Sequence, residues 1–271
     1  MRILFRYCEK GDGATNEDIC GNAGHFAWVI DGATDVFGKH CIAEEHEVSM
    51  YVNCLTKTIA EIANYYSPQQ LGNLVEAAVL SVYNKLNLSE KAAGLPEYML
   101  PTFAIAMVAV EGDNVYYYVL GDCFISYLSS QGVELITDNR ITRFSQHNRH
   151  LLKKLHEGDK QVQDATSIYQ ETRAKANTPD GYPIGSICGS GLQNALSGSI
   201  RLGLGQKFII CSDGFLDFFR ANDCDNRKFF STHSVQREID AMNVFLSDER
   251  QYHNELRPKK IDDRTLVLVE V

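Results

Sequence analysis

Between residues 102 and 137, four extended runs follow one another across turns too short to hold a helix. Residues 102–110 give way to Glu111-Gly112-Asp113-Asn114 and then to 115–120. Gly121-Asp122 interrupts, 124–128 resumes, 129–132 turns, and 133–137 closes. A parallel neighbour needs a crossover of a dozen or more residues. These runs therefore read as an antiparallel meander with short hairpins. Any fold for the chain has to cover that block.

The rest of the chain supplies the covers. Residues 2–7, 26–30, 207–212 and 264–271 read as further strands, and 10–16 as a turn-rich link. The run 26–30 is continuously apolar and stops at the turn signal Asp31-Gly32. Two helices are expected, at about 40–66 and 68–87. The first carries Val48, Val52, Leu55, Ile59 and Ile62 at three- and four-residue spacing; the second carries Leu71, Leu74, Val75, Ala78, Val79 and Val82. Pro68 suits a first helical turn. Another helix is expected at 233–255. Residues 139–205 mix a basic segment (Arg140, Arg143, Arg149, Lys153, Lys154) with Gly/Ser-rich pieces. They are expected to hold helices in the first half and loop in the second.

Amphipathic helices interspersed with antiparallel strands predict the α+β class. A four-layer α-β-β-α sandwich, two antiparallel sheets flanked by helix pairs, uses every apolar face. The chain has 271 residues, 44% hydrophobic and 23% charged, enough for one domain with a sizeable core. The expected organisation is a single domain over 1–271, with a variable flap within about 139–205.

A formal net charge of −9 repels nucleic-acid phosphate and anionic lipid. No nucleic-acid or membrane partner is expected. The longest apolar stretch, 103–110, is far short of a membrane span, and residues 1–7 lack signal-peptide architecture. The eight cysteines include no CxxC pair, so they read as reduced thiols rather than a zinc site. The expected location is cytoplasmic.

Five acidic signals share one context, a carboxylate in a turn at or near a strand end. They are Asn16-Glu17-Asp18, Asp31-Gly32, Gly121-Asp122, Ser212-Asp213-Gly214 and Asp262-Asp263. Strand ends at one edge of a sheet converge, and converging carboxylates raise one another's pKa unless cations neutralise them. Hard oxygen ligands without a nearby His or Cys point to Mg²⁺ or Mn²⁺ rather than zinc. Two such ions bridged by one carboxylate could activate water and clamp a phosphoryl group. Taken singly, each signal also has a plain reading. Asp-Gly is a common turn dipeptide, Asn-Glu-Asp suits a solvated loop, and Asp262-Asp263 suits a charged guard before a strand. The functional case rests on the set and its order.

Together these segments resemble the metal-dependent serine/threonine protein phosphatases of type 2C, the PPM family. The matching pieces are Asn16-Glu17-Asp18, Val29-Ile30-Asp31-Gly32-Ala33-Thr34, and the strand opened by Thr102. Leu120-Gly121-Asp122-Cys123, Leu135-Ile136-Thr137-Asp138, Cys211-Ser212-Asp213-Gly214-Phe215-Leu216-Asp217 and Asp262-Asp263-Arg264-Thr265-Leu266-Val267 follow. The resemblance implies a phosphoric monoester hydrolase with two Mn²⁺ or Mg²⁺ ions and a third, weaker ion. Asp31 would bridge two ions, the Gly32 carbonyl would ligate one, and Asp213 and Asp262 would hold the other. Glu17 would hold metal-bound water with Asp18 in support, and Asp122 with Asp213 would hold the third ion. Glu17, Asp18, Asp31 and Asp213 would form the catalytic set. The implied reaction is direct attack of a metal-bridging hydroxide on phosphoserine or phosphothreonine in a protein, the target of a serine/threonine kinase in signalling. Cys123 and Cys211, close to the motifs, are expected to be packing thiols.

Two departures bear on substrate. Where the family often carries a phosphate-gripping Arg four residues before the motif Glu, this chain has Gly13. Arg6 and Lys10 are the cations at hand, and Arg6 is the candidate. Thr34 follows Asp31-Gly32 and is read either as a phosphate donor or as a helix cap. Two other functions remain open on sequence grounds: a catalytically weak phospho-binding regulatory protein, and a phosphatase for a small phosphorylated metabolite.

Overall fold

Two continuous apolar runs are buried on both faces, and strand periodicity divides each between two cores. In strand β3 (Phe26–Ala33), Phe26, Trp28 and Ile30 face a layer of helices, whereas Ala27 and Val29 face a second sheet. Strand β4 (Thr102–Glu111) divides likewise: Phe103, Ile105, Met107 and Ala109 go one way, Ala104, Ala106, Val108 and Val110 the other. A computed structural model describes residues 1–158, 164–216, 226–253 and 261–271. Asp217 of the motif beginning at Cys211, and the last two residues of the helix expected at 233–255, lie outside the described residues.

The architecture is the expected α+β sandwich of two antiparallel sheets with helices outside. One sheet runs β1 (Arg2–Glu9), β11 (Arg264–Glu270), β10 (Lys207–Cys211), β6 (Phe124–Ser129), β7 (Gly132–Thr137). The other runs β2 (Asp18–Ala23), β3, β4, β5 (Asn114–Leu120), β9 (Leu196–Arg201), with the two-residue β8 (Gly185–Ser186) also on β4. Helices α1 (Glu47–Ile62) and α2 (Leu71–Lys85) cover the β3 sheet. A short turn of helix, α3 (Leu88–Lys91), follows. Two helices of the 139–205 segment come next, α4 (Thr142–His156) and α5 (Ala165–Arg173). Helix α6 (Val235–His253) covers the β10 sheet, packing Val235, Ile239 and Met242 on Ile209, Cys211, Leu266 and Leu268. No described helix is long and apolar enough to cross a membrane.

The structure revises three local expectations. Residues 102–137 are not one meander but two hairpins in different sheets, β4–β5 and β6–β7. The chain changes sheet at Gly121-Asp122. Gly121 has φ +77, and a Cβ there would lie 2.6 Å from that of Ala104, so glycine permits the corner. Helix α1 starts at Glu47 rather than near His40. The buried Glu47 carboxylate accepts the N–H groups of Cys41 and Ile42, each at 2.7 Å, and folds 40–46 around itself. Strand β9, within the part of 139–205 read as loop, and β2, which the sequence did not single out, are both edge strands of the β3 sheet.

Candidate functional site

Strand β3 does not stop at Asp31-Gly32. It runs on to Ala33, paired with Thr102, so this Asp-Gly is not a turn. Its glycine has a steric reason: a Cβ on Gly32 would lie 2.4 Å from Val48 Cγ1 of α1 and 2.9 Å from the Glu17 carbonyl. Asp31 is thereby carried past the core on a rigid strand, and across the ladder it is paired with Asp18 of β2.

The other carboxylates arrive from different elements. Asp122 sits at the β5–β6 corner. Asp213 opens a single 3₁₀ turn, Asp213–Phe215, directly after β10. Asp262 lies just before β11. Asp31, Gly32, Asp122, Asp213 and Asp262 all line one cavity of about 150 Å³ at the shared end of the two sheets. Asp31, near the end of one sheet, and Asp213, just past a strand of the other, both face it, close enough for Asp213 to raise the Asp31 carboxyl. Asp18 lies beneath them, 5% exposed, with its Oδ2 lacking a hydrogen-bond partner.

Glu17 and Asp263 act at the rim. Both Asp263 oxygens are used, accepting the N–H of Gly11 at 2.8 Å and of Glu17 at 2.7 Å, which clasps the 11–17 link. The Thr34 hydroxyl donates to Glu17 Oε2 at 2.5 Å. Thr34 lines the cavity, and the helix-cap reading is corrected, because α1 begins at Glu47, too far along the chain to be capped by it. Asp138, part of the quoted motif, is instead a buried partner of Arg140, held through both carboxylate oxygens.

The electrostatics follow from this crowding. Burial pushes Asp31 well above the ordinary carboxylate range, and Asp18, Asp213, Asp262 and Asp122 add to it. Asp213 is raised in the same way, by burial and then by Asp122, Asp262 and Asp18. Asp18 is pushed up to about 7, chiefly by burial; Asp262 and Asp263 add, while hydrogen bonds from Ser212 and Thr265 oppose. A cluster in this state needs protons or cations. Its donors are all oxygens, which fits Mg²⁺ or Mn²⁺. Among the described residues, no group of three or more His, Cys, Asp or Glu side chains is placed to hold one metal ion by itself. Carboxylates dispersed around a cavity suit ions that keep part of their water, as Mg²⁺ does. Cys123 and Cys211 are fully buried, and burial raises both thiols far above their ordinary value, which leaves them as inert packing groups.

The site also contains a residue the sequence did not single out. Arg173, the last residue of α5, lines the cavity with the carboxylates. Nη1 donates to Thr102 Oγ1 at 2.8 Å and Nη2 to the Thr34 carbonyl at 3.2 Å. Arg6, the sequence candidate, is exposed on β1 and donates to Asn22; it is not part of the cavity lining. Lys10 donates to the Ala14 carbonyl at 3.4 Å. Arg173 could have been noticed only as a cation at the end of an amphipathic helix, about 140 residues from the Asp31 motif.

No protein-family model matches the chain, and no curated protein sequence matches it significantly. Solved structures do match. The catalytic domain of the serine/threonine protein phosphatase PstP, determined with two manganese ions, superposes with TM-score 0.58 at 14% identity. The match covers 98% of this chain and 96% of that one. Stp1 from Staphylococcus aureus, a serine/threonine phosphatase, gives 0.58 at 15%, covering 98% and 94%. The PPM Ser-Thr phosphatase MsPP from Mycobacterium smegmatis, in complex with cacodylate, gives 0.54 at 15% over the whole of both chains. The fold is that of these phosphatases.

Proposed function

We propose that this chain is a metal-dependent protein serine/threonine phosphatase of the PPM type. One observation carries the reading. Asp31, Asp122, Asp213 and Asp262, brought together from different elements, line one cavity with a guanidinium. A fold shared with serine/threonine phosphatases supports it. Asp31, Asp213, Asp262 and the Gly32 carbonyl would hold two Mn²⁺ or Mg²⁺ ions, with Asp122 available to a third. When bound, such ions supply a water nucleophile near neutral pH and positive charge for the phosphoryl oxygens.

The chain's own residues do the placing. Strand β3 fixes Asp31, and the Asp263 clasp fixes the backbone of Glu17. Thr34 orients the Glu17 carboxylate toward the cavity rim. Asp18 adds buried negative charge behind Asp31. The substrate would be phosphoserine or phosphothreonine of a protein, presented across the 139–205 flap.

The test is hydrolysis of p-nitrophenyl phosphate and of a phosphothreonine peptide with Mn²⁺, Mg²⁺ or EDTA, by wild type and Asp213→Ala. The expected outcome is metal-dependent turnover that the variant loses. Folded wild-type protein inactive with every metal would sink the reading.

A further inference from the structure

We propose that Arg173 grips the phosphoryl oxygens of the substrate, and that α5 of the flap thereby supplies the phosphate anchor which the N-terminal link lacks. The inference rests on the phosphatase reading above. A cavity walled by carboxylates repels a phosphate dianion, and cations bound there offset only part of that charge. A planar guanidinium with parallel N–H donors is the side chain best matched to two phosphoryl oxygens. The N-terminal segment has none in place, because position 13 is glycine and Arg6 and Lys10 are engaged elsewhere.

Arg173 meets the requirement on three counts. Among the described residues it is the cation of the cavity lining. Four aspartates share its cavity, yet its observed hydrogen bonds go to a hydroxyl and a carbonyl. Its position is fixed by hydrogen bonds to the Thr102 hydroxyl and the Thr34 carbonyl. A guanidinium has five N–H donors, and these two bonds leave others for a ligand. The helix that carries it is latched to the loop after β3, where Gln170 Nε2 donates to the Val36 carbonyl at 2.7 Å. An anion held by Arg173 would therefore stand against Asp31 and Gly32, where a phosphoryl group must lie to be attacked.

A purely structural Arg173 would tether α5 and do nothing more, so the test separates anchoring from tethering. Arg173→Ala and Arg173→Lys are compared with wild type for KM, kcat and the inhibition constant of inorganic phosphate. Phosphate binding is also measured by calorimetry in the presence of Mn²⁺, and Mn²⁺ affinity and the thermal midpoint are recorded. The lost charge-assisted bonds predict KM and the phosphate constants raised roughly 10- to 100-fold in Arg173→Ala, with Mn²⁺ affinity unchanged. Arg173→Lys keeps the charge but not the fork, and is expected to recover only part. KM and phosphate affinity within about twofold of wild type in the folded lysine variant would overturn the proposal, even if the alanine variant fails to fold. Should wild type hydrolyse nothing, the phosphatase reading fails by itself and calorimetry still decides. Phosphate binding lost on substitution of Arg173 sustains the anchor, and no phosphate binding by wild type removes it.

Discussion

Asp18 gives the sharpest energetic prediction, because the metal-free fold holds it against its chemistry. Its carboxylate is 5% exposed, with one oxygen unpartnered and Asp31 directly across the ladder. Its pKa rises from an ordinary 3.8 to about 7. At about 1.4 kcal/mol per pH unit, ionising it in the fold costs on the order of 4 kcal/mol more than in the unfolded chain. The sign follows from the direction. A raised carboxyl contributes its stability below pH 3.8, and that stability is lost as pH rises toward 7. Asp18→Asn removes the titration while keeping shape and one acceptor oxygen. In EDTA, urea unfolding should give nearly equal stabilities for the two proteins near pH 3.5, below the ordinary carboxyl pKa. At pH 8 the variant should be more stable by about 2–4 kcal/mol, the upper end being reduced by burial of an amide N–H₂. Added Mn²⁺ should reverse the order, since wild type then holds the cation-binding charge. A variant no more stable than wild type at pH 8, or a difference independent of pH, would refute the reasoning.

Three further outcomes are expected. Gly32→Ala places a methyl 2.4 Å from Val48 Cγ1 in the tightly packed β3–α1 contact; thermal unfolding should show a loss of about 1–3 kcal/mol. Asp263→Ala frees two backbone donors, at Gly11 and Glu17, and should cost about 3 kcal/mol or more by urea unfolding, with weaker Mn²⁺ binding; Asp263→Asn, retaining one acceptor, should lie between. Thr34→Val removes the hydroxyl from Glu17 and should raise the Mn²⁺ concentration needed for half-maximal activity several-fold, while changing the unfolding midpoint little.

The sequence carried the sandwich and the carboxylates because both are written locally. The continuous apolar run 103–110 and the helical spacing of Val48, Val52 and Leu55 mark residues that the fold buries. An aspartate at a strand end stays there in the fold. Other features were not legible because they depend on what comes together in space. A hairpin within one sheet and a corner between two sheets have the same turn residues, so the break at Gly121 gave no sign that the chain changes sheet. Strand β2, Asp-Ile-Cys-Gly-Asn-Ala, has turn composition and is a strand only because β3 offers it an edge. Helix α1 loses its first turns to the buried Glu47 carboxylate, which no propensity foretells. Arg173 belongs to a segment without a motif and reaches the site through tertiary packing alone. For Arg6, closeness in sequence to Glu17 is not closeness in space: it is exposed on β1, beside Asn22 and away from the cavity lining.

The central claim is that these carboxylates form a divalent-cation centre. It is tested most directly by calorimetric titration of Mn²⁺ into wild type and Asp31→Asn at neutral pH. The account predicts about two ions per chain for wild type and loss of both tight sites in the variant, since Asp31 would bridge them. Absence of binding to folded wild type, or binding untouched by the loss of Asp31, would contradict it.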